Sequence, residues 1–224
     1  MSFIYLSHIL DVQTPGFGGT ADFRLEAVRK MCEGASCNSS RIEMSMHLGT
    51  HVDAPFHFCE TGDSIEKFSA QSWIFKNVSL VPLEGVQSGT LIGVGSWCEK
   101  IDKNTELILL KTDFEKHRNS PLYWQENPGL TAELGLWLRT HRPNVRALGF
   151  DFISASSFTN REMGREAHKA FLSTDQGKTN PILLIEDLSL CEIDKSPLEL
   201  IALPLRVRGA DGAPMTIIAR MAEA

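Results

Sequence analysis

The segment His47-Leu48-Gly49-Thr50-His51-Val52-Asp53-Ala54-Pro55-Phe56-His57 gathers three of the chain's seven histidines and an aspartate into one short stretch. Two imidazoles and a carboxylate are the usual donors for zinc or manganese in a catalytic site that keeps a position open for water. Geometry restricts how they can meet. In an extended strand four residues span about 13 Å, too far for His47 and His51 to share an ion through bonds of about 2.1 Å. The chain must therefore bend between them, and Gly49 sits at the midpoint, where the missing β-carbon permits a positive φ. A continuous helix would also bring positions four apart together, but Gly49, Thr50 and Pro55 disfavour one. The expectation is a strand leading into a tight, irregular loop. His51 and Asp53, two apart, face the same way, and a carboxylate binds one ion or bridges two, so Asp53 is the natural shared ligand. Pro55 turns the chain before His57, which is kept off the metal as general base or acid, because imidazole exchanges protons near neutral pH. His8, His117 and His141 stand alone and receive the ordinary reading of surface or core histidines.

The segment resembles the signature His-x-Gly-Thr-His-x-Asp-x-Pro-x-His of the cyclase family, which includes bacterial metal-dependent kynurenine formamidases and isatin hydrolases. Further similar features are Asp151 after an apolar strand, Ala167-His168 on a helix, Ile185-Glu186-Asp187-Leu188 after a late strand, and the Leu203-Pro204-Leu205 and Ala213-Pro214 ending. The resemblance implies one metal on His47, His51 and Asp53, a second on Asp53, His168 and Glu186, and His57 as the proton carrier. It implies zinc, as one or two ions, with manganese as the other candidate. It also implies a single α/β domain over residues 1–224, with a three-layer β/β/α swivelling-type fold, a mixed sheet, and assembly as a homodimer or homotetramer. The activity implied is that of an arylformamidase of tryptophan breakdown, converting N-formylkynurenine to kynurenine and formate. A cyclic amide or lactone hydrolase of the isatin type is the rival among enzymes. A non-catalytic, metal-containing binder of small ligands is the rival outside them, and His57 speaks against it, since a structural site needs no extra imidazole beside an open position. Where the formamidases tend to carry Trp-Pro-Gly-Asp, this chain has Thr14-Pro15-Gly16-Phe17-Gly18-Gly19. Where they carry further aspartates after the Asp151 strand, it has Phe152-Ile153-Ser154-Ala155-Ser156.

The elements that must position these residues read as strands alternating with helices. Strict apolar alternation over Arg41 to Leu48 predicts a half-buried strand with Ile42, Met44, Met46 and Leu48 inward. Phe3 to Leu6, Asn77 to Leu83, Leu107 to Leu110, Val145 to Phe152 and Ile182 to Ile185 read as short apolar strands, the inner ones covered on both faces. Helices are expected over Thr131 to Thr140, with Pro143 beyond its end, and over Arg161 to Leu172, with Met163, Ala167, Ala170 and Phe171 inward. A polar loop, Ser173 to Asn180, follows. A terminal hairpin is read with Ala210-Asp211-Gly212 as its turn and Leu203 to Val207 and Met215 to Ala219 as arms. Phe17 and Phe56, with Phe58 and Trp73, are candidates to wall an aromatic substrate pocket, and Lys116 to Pro128 is a candidate lid or oligomer contact.

Composition bounds the function. The chain has 224 residues, 42% of them hydrophobic, enough for a substantial core. Its formal charge is −6 and its basic residues form no cluster, which disfavours nucleic acid as partner. No signal sequence or apolar run of membrane-spanning length is read, so a soluble cytoplasmic protein with a small-molecule substrate is expected. Five cysteines at irregular spacings argue against a disulfide framework and fit a reducing compartment. Gly93-Val94-Gly95 lacks the third glycine of a dinucleotide loop, and Ser154, Ser156 and Ser157 lie in no nucleophile elbow.

Overall fold

The computed structural model describes residues 2–20, 22–174 and 180–223. Its strands are β1 (Ser2–Tyr5), β2 (Arg24–Arg29), β3 (Ser39–Glu43), β4 (His51–Asp53), β5 (Ile74–Phe75), β6 (Val78–Pro82), β7 (Leu91–Ile92), β8 (Leu107–Lys111), β9 (Gly129–Leu130), β10 (Ala147–Phe150), β11 (Leu183–Glu186), β12 (Glu199–Pro204) and β13 (Gly212–Met221). The α-helices are α1 (Ser96–Glu99), α2 (Pro121–Gln125), α3 (Ala132–His141) and α4 (Arg161–Leu172). One mixed sheet runs β5-β12-β13-β4-β11-β10-β8-β6, with β1 also on β13. Strands β6, β8, β10 and β11 are parallel, and from β4 onward the pairing is antiparallel.

Period-two alternation assigns each strand residue to one of two cores. Leu107, Leu109, Ala147 and Ile185 pack with Leu200, Ala202, Ile217 and Ala219 of the antiparallel half. Their neighbours Ile108, Leu110, Leu148 and Leu184 pack with Leu134 and Leu138 of α3 and Ala167 and Phe171 of α4. The antiparallel half therefore covers one face of the parallel half and the helices cover the other, a β/β/α stack in a single α/β domain. Each fully buried Leu or Phe contributes roughly 1.5–3 kcal/mol. Thr131 caps α3, its hydroxyl accepting from the Leu134 N–H at 3.3 Å. No helix among the described residues is long and apolar enough to cross a membrane.

Three expectations are corrected. The Arg41–Leu48 strand stops at Glu43, and instead of lying half-buried it pairs only with β2 in a separate two-stranded ribbon where Ile42 is 58% exposed. The alternation was real, but nothing among the described residues covers its apolar face. The terminal hairpin joins β12 and β13 with Pro204 opposite Met215. Its connection runs over 205–211, so Gly212 is already strand and Asp211 lies outside a tight turn. In residues 116–128, the candidate lid or oligomer contact, Tyr123 of α2 is fully buried. On α4, Met163 faces solvent. Of the polar loop 173–180, residues 175–179 lie outside the described residues.

Candidate metal centre

Three segments converge at one edge of the parallel strands. Gly49 takes φ +66, and a β-carbon there would meet Leu10 Cδ2 at 2.5 Å. The bend brings His47 back over the strand, with Nδ1 2.8 Å from Asp53 Oδ1. In β4, Val52 enters the core between the sheet halves, so His51 and Asp53 project from the opposite face. The register sets Glu186 at the end of β11 beside His51, with His51 Nε2 and Glu186 Oε2 3.4 Å apart. From α4, His168 Nε2 stands 3.3 Å from Asp53 Oδ2 and 3.6 Å from Glu186 Oε1. The result is two donor groups around Asp53, His47 with His51 and Asp53, and Asp53 with His168 and Glu186, while a third, His47 with His57 and Asp211, shares His47; each has its ligand atoms within 4.8 Å of one another. Asp53 turns one oxygen toward each.

The far nitrogens of these rings settle which atoms point inward. His51 Nδ1–H donates to the Gly49 carbonyl and His168 Nδ1–H to the Gly164 carbonyl, both at 2.8 Å. A carbonyl only accepts, so each ring turns its Nε2 toward the carboxylates, as a metal-binding histidine does. Glu186 is fixed in turn by the Ala155 N–H, 2.7 Å from Oε1. The donor set fits a divalent cation: buried carboxylates and oriented imidazoles that, among the described residues, pair with one another and with no lysine or arginine.

Charge in the site is balanced by protons on the rings. Burial lowers the pKa of His47, but hydrogen bonds to Asp53 and Asp211 outweigh it and raise it to about 9. Burial opposes His168 likewise, and Asp53 with Glu186 raise it to about 10. Burial alone would lift Asp53, yet the hydrogen bonds from His168, His47 and His51 hold it well below the usual carboxylate range. A cation would take over the compensation that these ring protons provide.

The groups open into a cavity of about 350 Å³ that is also walled by Phe17, His57, Phe58, Ser154, Ser156 and Arg165. Phe58 stacks on the His168 ring at 4.6 Å between centroids. Arg161 lies over the Phe158 ring, whereas Arg165 reaches the cavity with no carboxylate partner among the described residues. Of the four aromatic candidates, Phe17 and Phe58 line the cavity and Phe56 does not: it is 40% exposed, and the turn at Pro55–His57 points it outward. Trp73 belongs to the core between the sheet halves.

Asp211 escaped the sequence reading. Its Oδ2 accepts from His47 Nε2 at 2.8 Å and from His57 Nδ1 at 2.9 Å. Nothing local marks it, because its partners lie more than 150 positions away. Asp187 was quoted only as part of a string. It takes φ 54, its carboxylate accepts from Arg118 and from the Tyr123 hydroxyl, and its carbonyl accepts from Thr50 Oγ1, which ties β11 to the histidine turn.

Comparison with known proteins places this arrangement. The Cyclase family model, described as "Putative cyclase", matches residues 4–157. A protein named kynurenine formamidase from Bacillus cytotoxicus is 29% identical over 217 residues, covering 97% of this chain and 96% of its own. One from Bacillus cereus is 26% identical over 224 residues with the same coverage. Among solved structures, isatin hydrolase A from Labrenzia aggregata bound to benzyl benzoate superposes with a TM-score of 0.81 at 22% identity, covering 99% of this chain and 94% of that one. A structure titled as a potential metal-dependent hydrolase with cyclase activity reaches 0.74 at 20% identity, covering 100% and 99%.

Proposed function

The chain belongs to the Cyclase family, and from that premise we propose that it is a metal-dependent hydrolase that opens the carbon–nitrogen bond of a small-molecule amide, as an arylformamidase releasing formate from N-formylkynurenine. The observation that carries the reading is the convergence of His47, His51, Asp53, His168 and Glu186 on one cavity wall with His57 beside them. His47, His51 and Asp53 would hold one zinc or manganese ion, and Asp53, His168 and Glu186 a second. Such a cation supplies Lewis acidity, acidifying water and polarising the acyl carbonyl.

The chain's own residues do the rest. His57 donates from Nδ1 to Asp211, which leaves Nε2 to take the proton of the attacking water. As the carbon–nitrogen bond breaks, the same Nε2 returns that proton to the departing amine, so one imidazole serves both halves. Phe17 and Phe58 offer aromatic surface to an aryl group. Arg165, at the cavity and without a carboxylate partner among the described residues, favours a substrate that carries a carboxylate, as N-formylkynurenine does and isatin does not. The full-length relatives named kynurenine formamidase support the same choice.

Two further proposals belong to this reading. Among the described residues the five cysteines form no disulfide, which supports a cytoplasmic setting. The uncovered apolar face of the β2–β3 ribbon supports a homo-oligomer in which a second copy of the chain covers it.

The test is metal analysis joined to a substrate panel of N-formylkynurenine, isatin and simple lactones. The expected result is bound divalent metal and highest turnover on the formamide. A metal-loaded protein that hydrolyses no member of the panel overturns the hydrolase reading in favour of a ligand binder.

A further inference from the structure

We propose that Asp211 is a positioning residue that orients a metal-site imidazole and the catalytic imidazole through one oxygen atom, an inference that rests on the roles given above to His47 and His57. Both rings point a nitrogen at the same Oδ2, His47 Nε2 at 2.8 Å and His57 Nδ1 at 2.9 Å. The rings stack on each other with centroids 4.0 Å apart and planes 28° apart. An ionised carboxylate has no proton to give, so both nitrogens must be N–H. That single constraint fixes the proton that each ring keeps on its Asp211 side. His47 turns Nδ1 toward Asp53 Oδ1, and His57 turns Nε2 away from Asp211 and into the cavity.

The backbone around Asp211 is built for this. Its carbonyl accepts from the Ala54 N–H at 2.9 Å, and the next residue, Gly212, is paired in the sheet with Asp53. A β-carbon on Gly212 would lie 2.5 Å from His47 Cε1 and 2.8 Å from the Val52 carbonyl oxygen, so the His47 ring occupies space that only glycine leaves. Asp211 thus enters from the residue just before a third strand, β13, and connects the histidine turn with the loop that carries His57. The two other metal-site histidines rest on backbone carbonyls. His47 alone among the three leans on a side-chain carboxylate, and that carboxylate is shared with His57. A carboxylate behind a ligating histidine holds the ring in place and raises its basicity, and its loss weakens metal affinity by roughly 10–100-fold.

The experiment uses the full-length, zinc-loaded protein as wild type, Asp211→Asn, Asp211→Glu, His57→Ala and the His57→Ala/Asp211→Asn pair. Zinc affinity is read by competition with a chromophoric chelator, and kcat and KM are read separately on N-formylkynurenine at saturating zinc. For Asp211→Asn the expected results are a zinc affinity lower by roughly 10–100-fold, a kcat lower by about 100-fold or more, and a KM within about threefold of wild type. In the His57→Ala background the Asn substitution costs no more than about threefold in kcat, because its effect on turnover runs through His57. Asp211→Glu restores about tenfold or more of the lost kcat, since it keeps the charge and the acceptor oxygens. Asp211→Ser is made alongside and carries the same expectations as the Asn variant where that one does not fold.

Unchanged zinc affinity together with multiplying losses in the double variant overturns the proposal. Loss of a whole zinc equivalent also overturns it, by making Asp211 a ligand in its own right with His47 and His57. Should the wild type hydrolyse no amide, the chelator competition still decides the His47 half, so failure of the hydrolase reading and failure of this one remain separable.

Discussion

One missing side chain and one present bear on what the centre can hold. Gly212 lies flush against His47, where a methyl group would press on a ring and on a backbone carbonyl that cannot yield. Gly212→Ala is therefore expected to displace His47 and weaken zinc binding by at least tenfold, while the cost to folding stays within the roughly 1–3 kcal/mol of an overpacked site. Chelator competition and thermal melting of the same sample check both halves, and zinc binding equal to wild type would contradict the close contact. Arg165 tests the substrate instead. A charge-assisted hydrogen bond contributes about 1.5–3 kcal/mol when sheltered, and this guanidinium is exposed, so Arg165→Ala is expected to raise KM on N-formylkynurenine about tenfold and leave KM on isatin within about twofold. Equal effects on both substrates would show that Arg165 does not recognise the carboxylate. The convergence of the centre was legible in sequence because its first half is local: eleven residues hold His47, His51, Asp53 and His57, and strand parity with a glycine bend suffices to bring them together. His168 and Glu186 carried no local signal and entered through the family resemblance, while Asp211 was taken for a turn residue.

The elements hold this site through buried polar joints as much as through packing. Asp151, fully buried at the end of β10, accepts from the Thr112 N–H and hydroxyl and from the Asp113 N–H, and so pins the residues that follow β8. Burial raises its carboxyl to about 7, against those hydrogen bonds, which pull it down. The folded chain then binds this proton more tightly than the unfolded chain, where the group titrates near 3.8. Its contribution to stability is full below about pH 4 and is lost as the pH rises through about 7. Denaturant melts of wild type and Asp151→Asn across pH 4 to 8 should show the wild type's advantage shrinking over that window. A constant difference would mean that Asp151 ionises as freely as in the unfolded chain. Legibility at this scale followed burial. The inner strands announced themselves as apolar runs, and α3 and α4 appeared within a residue of their expected ends, because a covered face imposes its period on the sequence. The connection over 205–211 was misread because Ala210-Asp211-Gly212 has turn composition while its place is set by Gly212 pairing with Asp53, a contact no short window contains.

At the scale of the whole molecule, the part that does not close on itself is the β2–β3 ribbon. Leu25 faces Ile42 across it, and the alternate positions pair Arg24 with Glu43 and Glu26 with Arg41, so one face is apolar and the other carries ion pairs. Leu25 and Ile42 are both more than half exposed, as are Val28 and Met31 beside them. A lone two-stranded ribbon is marginal in water, and the exposed Arg41–Glu26 pair adds at most about 1 kcal/mol. The alternation that predicted a half-buried strand over Arg41 to Leu48 is satisfied if the covering layer comes from a second copy of the chain. Two acidic substitutions on that face, Leu25→Asp and Ile42→Asp, are expected to weaken self-association by at least 100-fold, since each places a charge where an apolar contact is required, while the melting temperature of the dissociated chain stays within a few degrees of that measured for the wild type under dissociating dilution. Sedimentation velocity of wild type and double variant decides the matter: a wild type that sediments at the mass of one chain at micromolar concentration, or a variant that assembles equally well, would leave the ribbon's apolar face without the partner assigned to it.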